Sequence, residues 1–274
     1  MKVIIGIDVG GSTTKIVSSC GGKINFPEFV RADDPLTSVY GAFGKFTTKN
    51  GFELSDVERV VITGVGSSHI TKPLYNLNCT KAVEFDCVGR GGLYLSGLSE
   101  AIVVSMGTGT AIVHAKKNGE KITTEYLGGT GVGGGTLIGL SKRMLSMDSV
   151  NHIVELAEGG KLENVDLRIQ DLADSSMISL PPDLTAANFG KLSDMASSSD
   201  IALGIINMIF ETAAMLGLFA ARKEGIKNIV LTGNLATISP AKAIFRGLEE
   251  KFDMNFIIPE NAQFATAIGA ALAP

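Results

Sequence analysis

The 274-residue sequence is short of cysteine, of charge and of long apolar runs. Its three cysteines, Cys20, Cys79 and Cys87, form no C-x-x-C pair, and their odd number suits a reducing cytoplasm. Charged residues make up 19%, with 24 Lys and Arg against 28 Asp and Glu, for a formal net charge of −4. That balance gives no general attraction to nucleic acid or acidic membranes and leaves room only for a local basic pocket around a small anion. No apolar run reaches the ~18 uninterrupted residues that cross a bilayer. The longest, Ile201 to Ala221, contains Asn207 and Glu211 and reads as a buried helix. The opening MKVIIGIDVGG meets the acid Asp8 early, so it is not read as a signal peptide. No Pro/Ser-rich stretch marks a linker.

Glycine is what the chain has instead: 33 residues, gathered at a few points where tight backbone turns have a job to do. With 45% hydrophobic residues the chain can also bury a full core. Lys2–Asp8, a Gly turn, Lys15–Ser18, a second Gly turn and Lys23–Val30 read as three antiparallel strands. A helix over Pro35–Lys49, a strand at Val57–Thr63, a short strand at Ala82–Phe85 and a helix over Asp86–Leu98 follow. The pattern then restarts. Ala101–Ser105, Thr110–Ala115 and Lys121–Leu127 are strands joined by Gly turns, followed by a glycine cluster, helices, and strands at Ile226–Leu231 and Asn255–Ile258. A helix over Ser239–Lys251 separates those two strands, and Ala262–Leu272 closes the chain as another. One topology used twice predicts an α/β fold of duplicated mixed sheets flanked by helices. The lobes are expected at 1–98, completed by a closing helix over 260–274, and at 99–259, with a cleft between them.

Four glycine turns and one carboxylate carry the candidate chemistry. In Asp8-Val9-Gly10-Gly11-Ser12-Thr13-Thr14-Lys15 an acid ends a strand, and glycines then expose backbone amides beside hydroxyls, a cradle for phosphate oxygens. Asp8 would face the Mg²⁺ that accompanies ATP, through water. A plain hairpin capped by Asp and Ser fits the same residues. Ser105-Met106-Gly107-Thr108-Gly109-Thr110 is a second Gly/Thr hairpin, and one such turn per half would clamp a triphosphate from both sides. The run Gly128 to Thr136, with Gly133, Gly134 and Gly135 at its centre, leads into a helix from about Leu137, so bare amides at a helix start would attract an anion. It lacks the GK[ST] ending of a Walker A loop, and no βαβ unit surrounds it as a dinucleotide fingerprint requires; a hinge loop is the bland reading. Gly233 and Asn234, after the strand ending at Leu231, suit an adenine or ribose contact or a simple strand-to-helix turn. Glu84, among apolar neighbours, is a candidate general base with pKa raised by partial burial, or else a surface acid paired with Arg90.

The string Ile5 to Lys15 resembles the first phosphate motif of the sugar-kinase and actin superfamily. Val83-Glu84-Phe85-Asp86, Met106 to Thr110, Gly129 to Gly135, and Asp183-Leu184-Thr185-Ala186-Ala187-Asn188-Phe189-Gly190 are similar, in order and spacing, to type II pantothenate kinases. The likeness runs to Ala267-Ile268-Gly269-Ala270 and so covers nearly the whole chain. It implies the two-lobed actin-like ATPase (ribonuclease H-like) fold, with ATP in the cleft. It also implies phosphorylation of pantothenate at its terminal hydroxyl, the committing step toward coenzyme A, in a cytoplasmic homodimer joined through Ile201–Ala221. Glu84 then matches the general base and Thr108 a residue lining the pantothenate site. Asp8 to Lys15, the Gly134 region and Asn234 match positions around ATP. The family carries an Arg shortly before the Gly-rich loop that helps bind the pantothenate carboxylate; here Tyr126 falls there. Losing a charge-assisted bond of ~1.5–3 kcal/mol makes pantetheine, which lacks the carboxylate, an alternative acceptor. Rival readings on the same fold are an amino-sugar kinase, a nucleotide-binding regulator, and an ATPase activator of a radical dehydratase holding an iron–sulfur cluster between subunits.

Overall fold

A computed structural model describes residues 2–11, 13–30, 34–172 and 180–274. Strands β1 (Val3–Val9), β2 (Thr14–Cys20) and β3 (Lys23–Val30) precede α1 (Pro35–Asn50), β4 (Val57–Thr63), β5 (Cys79–Lys81) and α2 (Glu84–Ser96). Then come β6 (Glu100–Met106), β7 (Thr110–Asn118), β8 (Lys121–Thr130), α3 (Gly134–Leu145) and α4 (Val150–Ala157). Short β9 (Leu167–Arg168), α5 (Ile169–Leu172) and β10 (Thr185–Ala187) lead to the long α6 (Ser198–Glu224). The chain closes with β11 (Asn228–Thr232), α7 (Ser239–Phe252), β12 (Asn255–Ile257) and α8 (Ala265–Ala271).

The duplication is visible in the sheets, whose orders are β3-β2-β1-β4-β5 and β12-β11-β6-β7-β8. In each, an antiparallel three-stranded meander is extended by two parallel strands, and β4 lies on β1 as β11 lies on β6. Alternation along β1 decides what each face does. Val3, Ile5, Ile7 and Val9 pack with Val39, Phe43 and Phe46 of α1 on the outer face. Gly6 and Asp8 take the inner face, where Gly6 lies against Ala267 and Ala271 of α8.

Helix α8 covers the inner face of the first sheet and α2 that of the second, and the two helices pack on each other. Their crossing is close because Gly91 of α2 lies on the Ala265 carbonyl and Gly269 of α8 on the Cys87 carbonyl, where any side chain would overlap backbone.

On the far side of the second sheet α6 forms the largest core with α3, α4 and α7. By length and hydropathy α6 could cross a bilayer, yet 61% of its apolar window is buried inside the protein. The polar residues that interrupt it have partners: Asn207 donates to Asp166 (2.9 Å), and Glu211 accepts from Thr185 (2.7 Å) and Asn188 (2.8 Å).

Two sequence expectations change. The short strand is Cys79–Lys81, not Ala82–Phe85, and Glu84 opens α2 in place of ending a strand. Pairing with Val60–Ile62 uses up the strand at Lys81, and acids in the first turn, Glu84 and Asp86, suit the positive end of a helix. Helix α3 starts at Gly134, inside the glycine cluster, because its first amides find acceptors in the turn before β7.

Candidate active site

Asp8 and Lys15 face each other across the β1–β2 ladder, with Nζ 3.7 Å from Oδ2 and both residues only 7% exposed. Burial pushes the Asp8 carboxyl above its ordinary range, and the Lys15 charge works against that shift. The turn between the strands is tight, Gly10 N–H donating to the Thr13 carbonyl at 2.9 Å. Thr14 points to the outer face, where its hydroxyl accepts from Ser38 of α1 (2.7 Å), so it braces the fold away from the inner face that Asp8 and Lys15 share. Ser12 lies outside the described residues.

The two Gly/Thr turns meet. A β-carbon on Gly11 would sit 3.7 Å from Thr108 Oγ1, and Thr108 is exposed. The glycine cluster is bolted to this second turn: Gly134 N–H donates to Gly107 O and Gly135 N–H to Thr108 O, both at 2.8 Å. Gly133 N–H donates to Thr136 Oγ1 (3.2 Å), which itself donates to Gly131 O (3.0 Å). The amides of residues 133–135, read from sequence as bare, are therefore engaged, and the glycines serve close packing: a β-carbon on Gly133 would be 2.7 Å from Thr108 O. The β11 loop completes the ring, with Leu235, next to Asn234, 3.9 Å from a β-carbon on Gly134. Gly233, at φ 87°, lies against the Met106 carbonyl.

Glu84 stands at the start of α2, half-buried, on the side of Asp8. Burial raises its pKa most, the Asp8 charge raises it further, and Lys15 opposes them. Among the described residues it has no hydrogen bond or ion pair. Arg90 donates to the Ile122 carbonyl (3.4 Å) instead. Next to Glu84, Phe85 stacks face to face on Tyr126 of β8, centroids 4.0 Å apart and planes within 8°. Tyr126 is 48% exposed, and its hydroxyl would be 3.1 Å from a β-carbon on Gly129. Asp86 is held by the Thr124 hydroxyl.

A cavity of about 660 Å³ opens between Gly129 and Thr130, the Thr185–Asn188 segment, and Glu211 and Thr212 of α6. Phe189, in a left-handed conformation, donates its N–H to the buried Asp166 (2.9 Å), which fixes the end of that segment. A larger opening of about 840 Å³ lies beside Tyr40, His69 and Tyr75, apart from the glycine turns.

Sequence reasoning missed Thr63-Gly64. Thr63 pairs in register with Asp8 as Thr232 pairs with Ser105, and Gly64 has φ 89° as Gly233 has φ 87°. A β-carbon on Gly64 would be 2.6 Å from Asp8 Oδ1. The signal was in the chain: Val61-Ile62-Thr63-Gly64 and Val230-Leu231-Thr232-Gly233 differ only by Ile for Leu between the two halves.

This paired-sheet architecture, with glycine turns converging between the halves, is the actin-like ATPase fold. The activator of the 2-hydroxyisocaproyl-CoA dehydratase from Clostridium difficile, solved with bound ADPNP, has a similar structure: TM-score 0.67, 20% identity, 98% of this chain and 93% of that one. Residues 96–245 match the Fumble family model, and the chain belongs to that family. It is similar to the type II pantothenate kinase of Oceanobacillus iheyensis, 27% identical over 277 residues and 98% of each chain. It is also similar to that of Bacillus cereus, 29% identical over 245 residues, 85% of this chain and 84% of the relative.

Proposed function

We propose that the chain transfers a phosphoryl group from ATP to the terminal hydroxyl of pantothenate, giving phosphopantothenate for coenzyme A synthesis. The observation that carries this reading is Glu84: a half-buried carboxylate without a partner among the described residues, on the side of Asp8 and Lys15, in a chain whose relatives are named type II pantothenate kinases. Glu84 accepts the proton of the acceptor hydroxyl as that oxygen forms its bond to the γ-phosphorus and the bond to the ADP oxygen breaks. Gly10, Gly11, Thr13 and Thr108 line the meeting point of the two turns and hold phosphate oxygens, with Lys15 as the nearby positive charge. Gly133, Gly134, Gly135 and Thr136 shape the wall behind Thr108, while Gly233 and Asn234 border the nucleoside. Asp8 fits a Mg²⁺ ligand: it is a buried acid at the end of β1, with Lys15 Nζ 3.7 Å from its Oδ2. When bound there, Mg²⁺ would neutralise phosphate charge.

The division into lobes 1–98 with 260–274 and 99–259, a homodimer and a cytoplasmic location belong to the same proposal. A release-of-ADP assay with Mg·ATP, run on pantothenate, pantetheine and N-acetylglucosamine, tests it. Turnover on pantothenate is the expected result, and turnover on the sugar alone would overturn the acceptor.

One observation favours pantetheine as a second reading: next to Glu84, Tyr126 stands where the family carries its Arg, stacked on Phe85. The activator reading has less support. Cys87 is buried and its thiol is pushed up to about 11 by burial, while burial also raises Cys79. Buried as it is, Cys87 is not placed to reach a cluster shared with a second subunit.

A further inference from the structure

The carboxylates of Asp8 and Glu84 come from different elements, one ending β1 and the other opening α2, so something must fix their spacing. Thr63 sits between them. It is fully buried, lies beside Asp8 in the β1–β4 register, and its Oγ1 donates to the Ala82 carbonyl at 3.0 Å. Ala82 N–H in turn donates to Ile62 O at 3.0 Å. Ala82 is thus gripped by the end of β4 through both its peptide groups, and one residue, Val83, separates that grip from Glu84. Gly64, the residue after Thr63, leaves the space that the Asp8 carboxylate occupies.

The other half of the molecule supplies a contrast. Thr232, the counterpart of Thr63, turns its hydroxyl to Val104 O at 3.5 Å, on the neighbouring strand β6. Ser105 and Ala111 stand where the first half has Asp8 and Lys15. The tether to the following element thus belongs to the half that carries the charged residues and Glu84.

We infer that Thr63 is a positioning residue for the phosphoryl transfer, its hydroxyl anchoring the β5–α2 junction so that the start of α2, and Glu84 with it, is held in place relative to the end of β1. The inference rests on Glu84 as proton acceptor, the reading given above.

Thr63→Val keeps the shape and removes the donor, and Thr63→Ser keeps the donor. With Mg·ATP and the acceptor that turns over, T63V is expected to lower kcat at least tenfold with the KM for ATP within about twofold, and T63S to restore most of the loss. Added to Glu84→Gln, T63V should change the residual rate little, because both act through one group. A second readout needs no acceptor: a ¹³C-detected titration of the Glu84 carboxyl. In T63V it should move down toward an ordinary glutamate as the side chain leaves Asp8 and its buried place. An unchanged Glu84 titration, or a T63S as impaired as T63V, overturns the inference whatever the acceptor. Full activity of Glu84→Gln with a shifted titration would instead remove the proton-acceptor reading and leave the tether standing.

Discussion

Glu84 carries a charge that its half-buried place disfavours and that the proposed reaction needs. Its pKa is raised from 4.5, first by burial and then by Asp8, so the folded protein binds a proton there more readily than the unfolded chain does. Its contribution to stability is therefore present at low pH and lost as pH rises through the raised value. Glu84→Gln should accordingly melt no lower than the parent at pH 7, while kcat falls by ~10²–10⁴ and nucleotide binding survives; calorimetry and a turnover assay check both halves. In the parent, kcat/KM should fall on the acid side with an inflection above 4.5, because the carboxylate must be ionised to take a proton. Tyr126 is the second residue with a decidable role. An Arg in its place can still stack on Phe85 and adds a charge-assisted bond of ~1.5–3 kcal/mol to a carboxylate. Tyr126→Arg should then lower the KM for pantothenate by ~10-fold or more and leave that for pantetheine nearly unchanged. Equal effects on both acceptors would remove Tyr126 from the carboxylate end of the site.

Among the elements, α2 carries the tightest constraint. It is rich in glycine, which weakens an isolated helix by ~1 kcal/mol per residue, and it tolerates this because its backbone is needed close to two partners. Gly91 meets α8, and Gly92 meets Val103 of β6. Gly91→Ala or Gly269→Ala would drive a methyl group into a backbone carbonyl, an overpacking that costs ~1–3 kcal/mol and several degrees of melting temperature. Gly139→Ala is the control. It lies exposed within α3 with nothing near its β-carbon, so gained helix propensity should stabilise by up to ~1 kcal/mol. Thermal melts of the three variants in one buffer suffice. The tied amides of Gly134 and Gly135 act at this scale too, joining α3 to the second turn, so movement of one should carry the other.

At the scale of the molecule, two sheets are joined through the α2–α8 pair, and the turns of both halves converge where Gly11 approaches Thr108. A nucleotide held by both turns would bind the folded chain and not the unfolded one. With Mg²⁺ and a non-hydrolysable ATP analogue at about 100 times its Kd, the gain should be ~2.7 kcal/mol, seen as a rise of several degrees in melting temperature. Asp8→Asn should blunt the rise that depends on Mg²⁺. A melting curve indifferent to nucleotide would argue against the meeting point of the turns as an ATP site.

The sequence by itself determined the elements that depend on neighbours in the chain. Alternating apolar residues and glycine turns define both meanders, and the repeat of that pattern defines the duplicated sheets. The motif residues Asp8, Lys15 and Thr108 stand out for the same local reason, whereas Glu84 was singled out mainly by the family resemblance. Only the tertiary structure decided how those residues are used. Lys15 and Thr14 are adjacent in β2, yet one pairs with Asp8 and the other is held by Ser38, because successive strand residues face opposite layers. The amides of Gly134 and Gly135 look bare until the turn at residues 107–108 folds onto them. Glu84 begins a helix because β5 stops where its partner strand β4 ends. Each of these outcomes is fixed by contacts between residues far apart in sequence, and local propensity carries no information about such contacts.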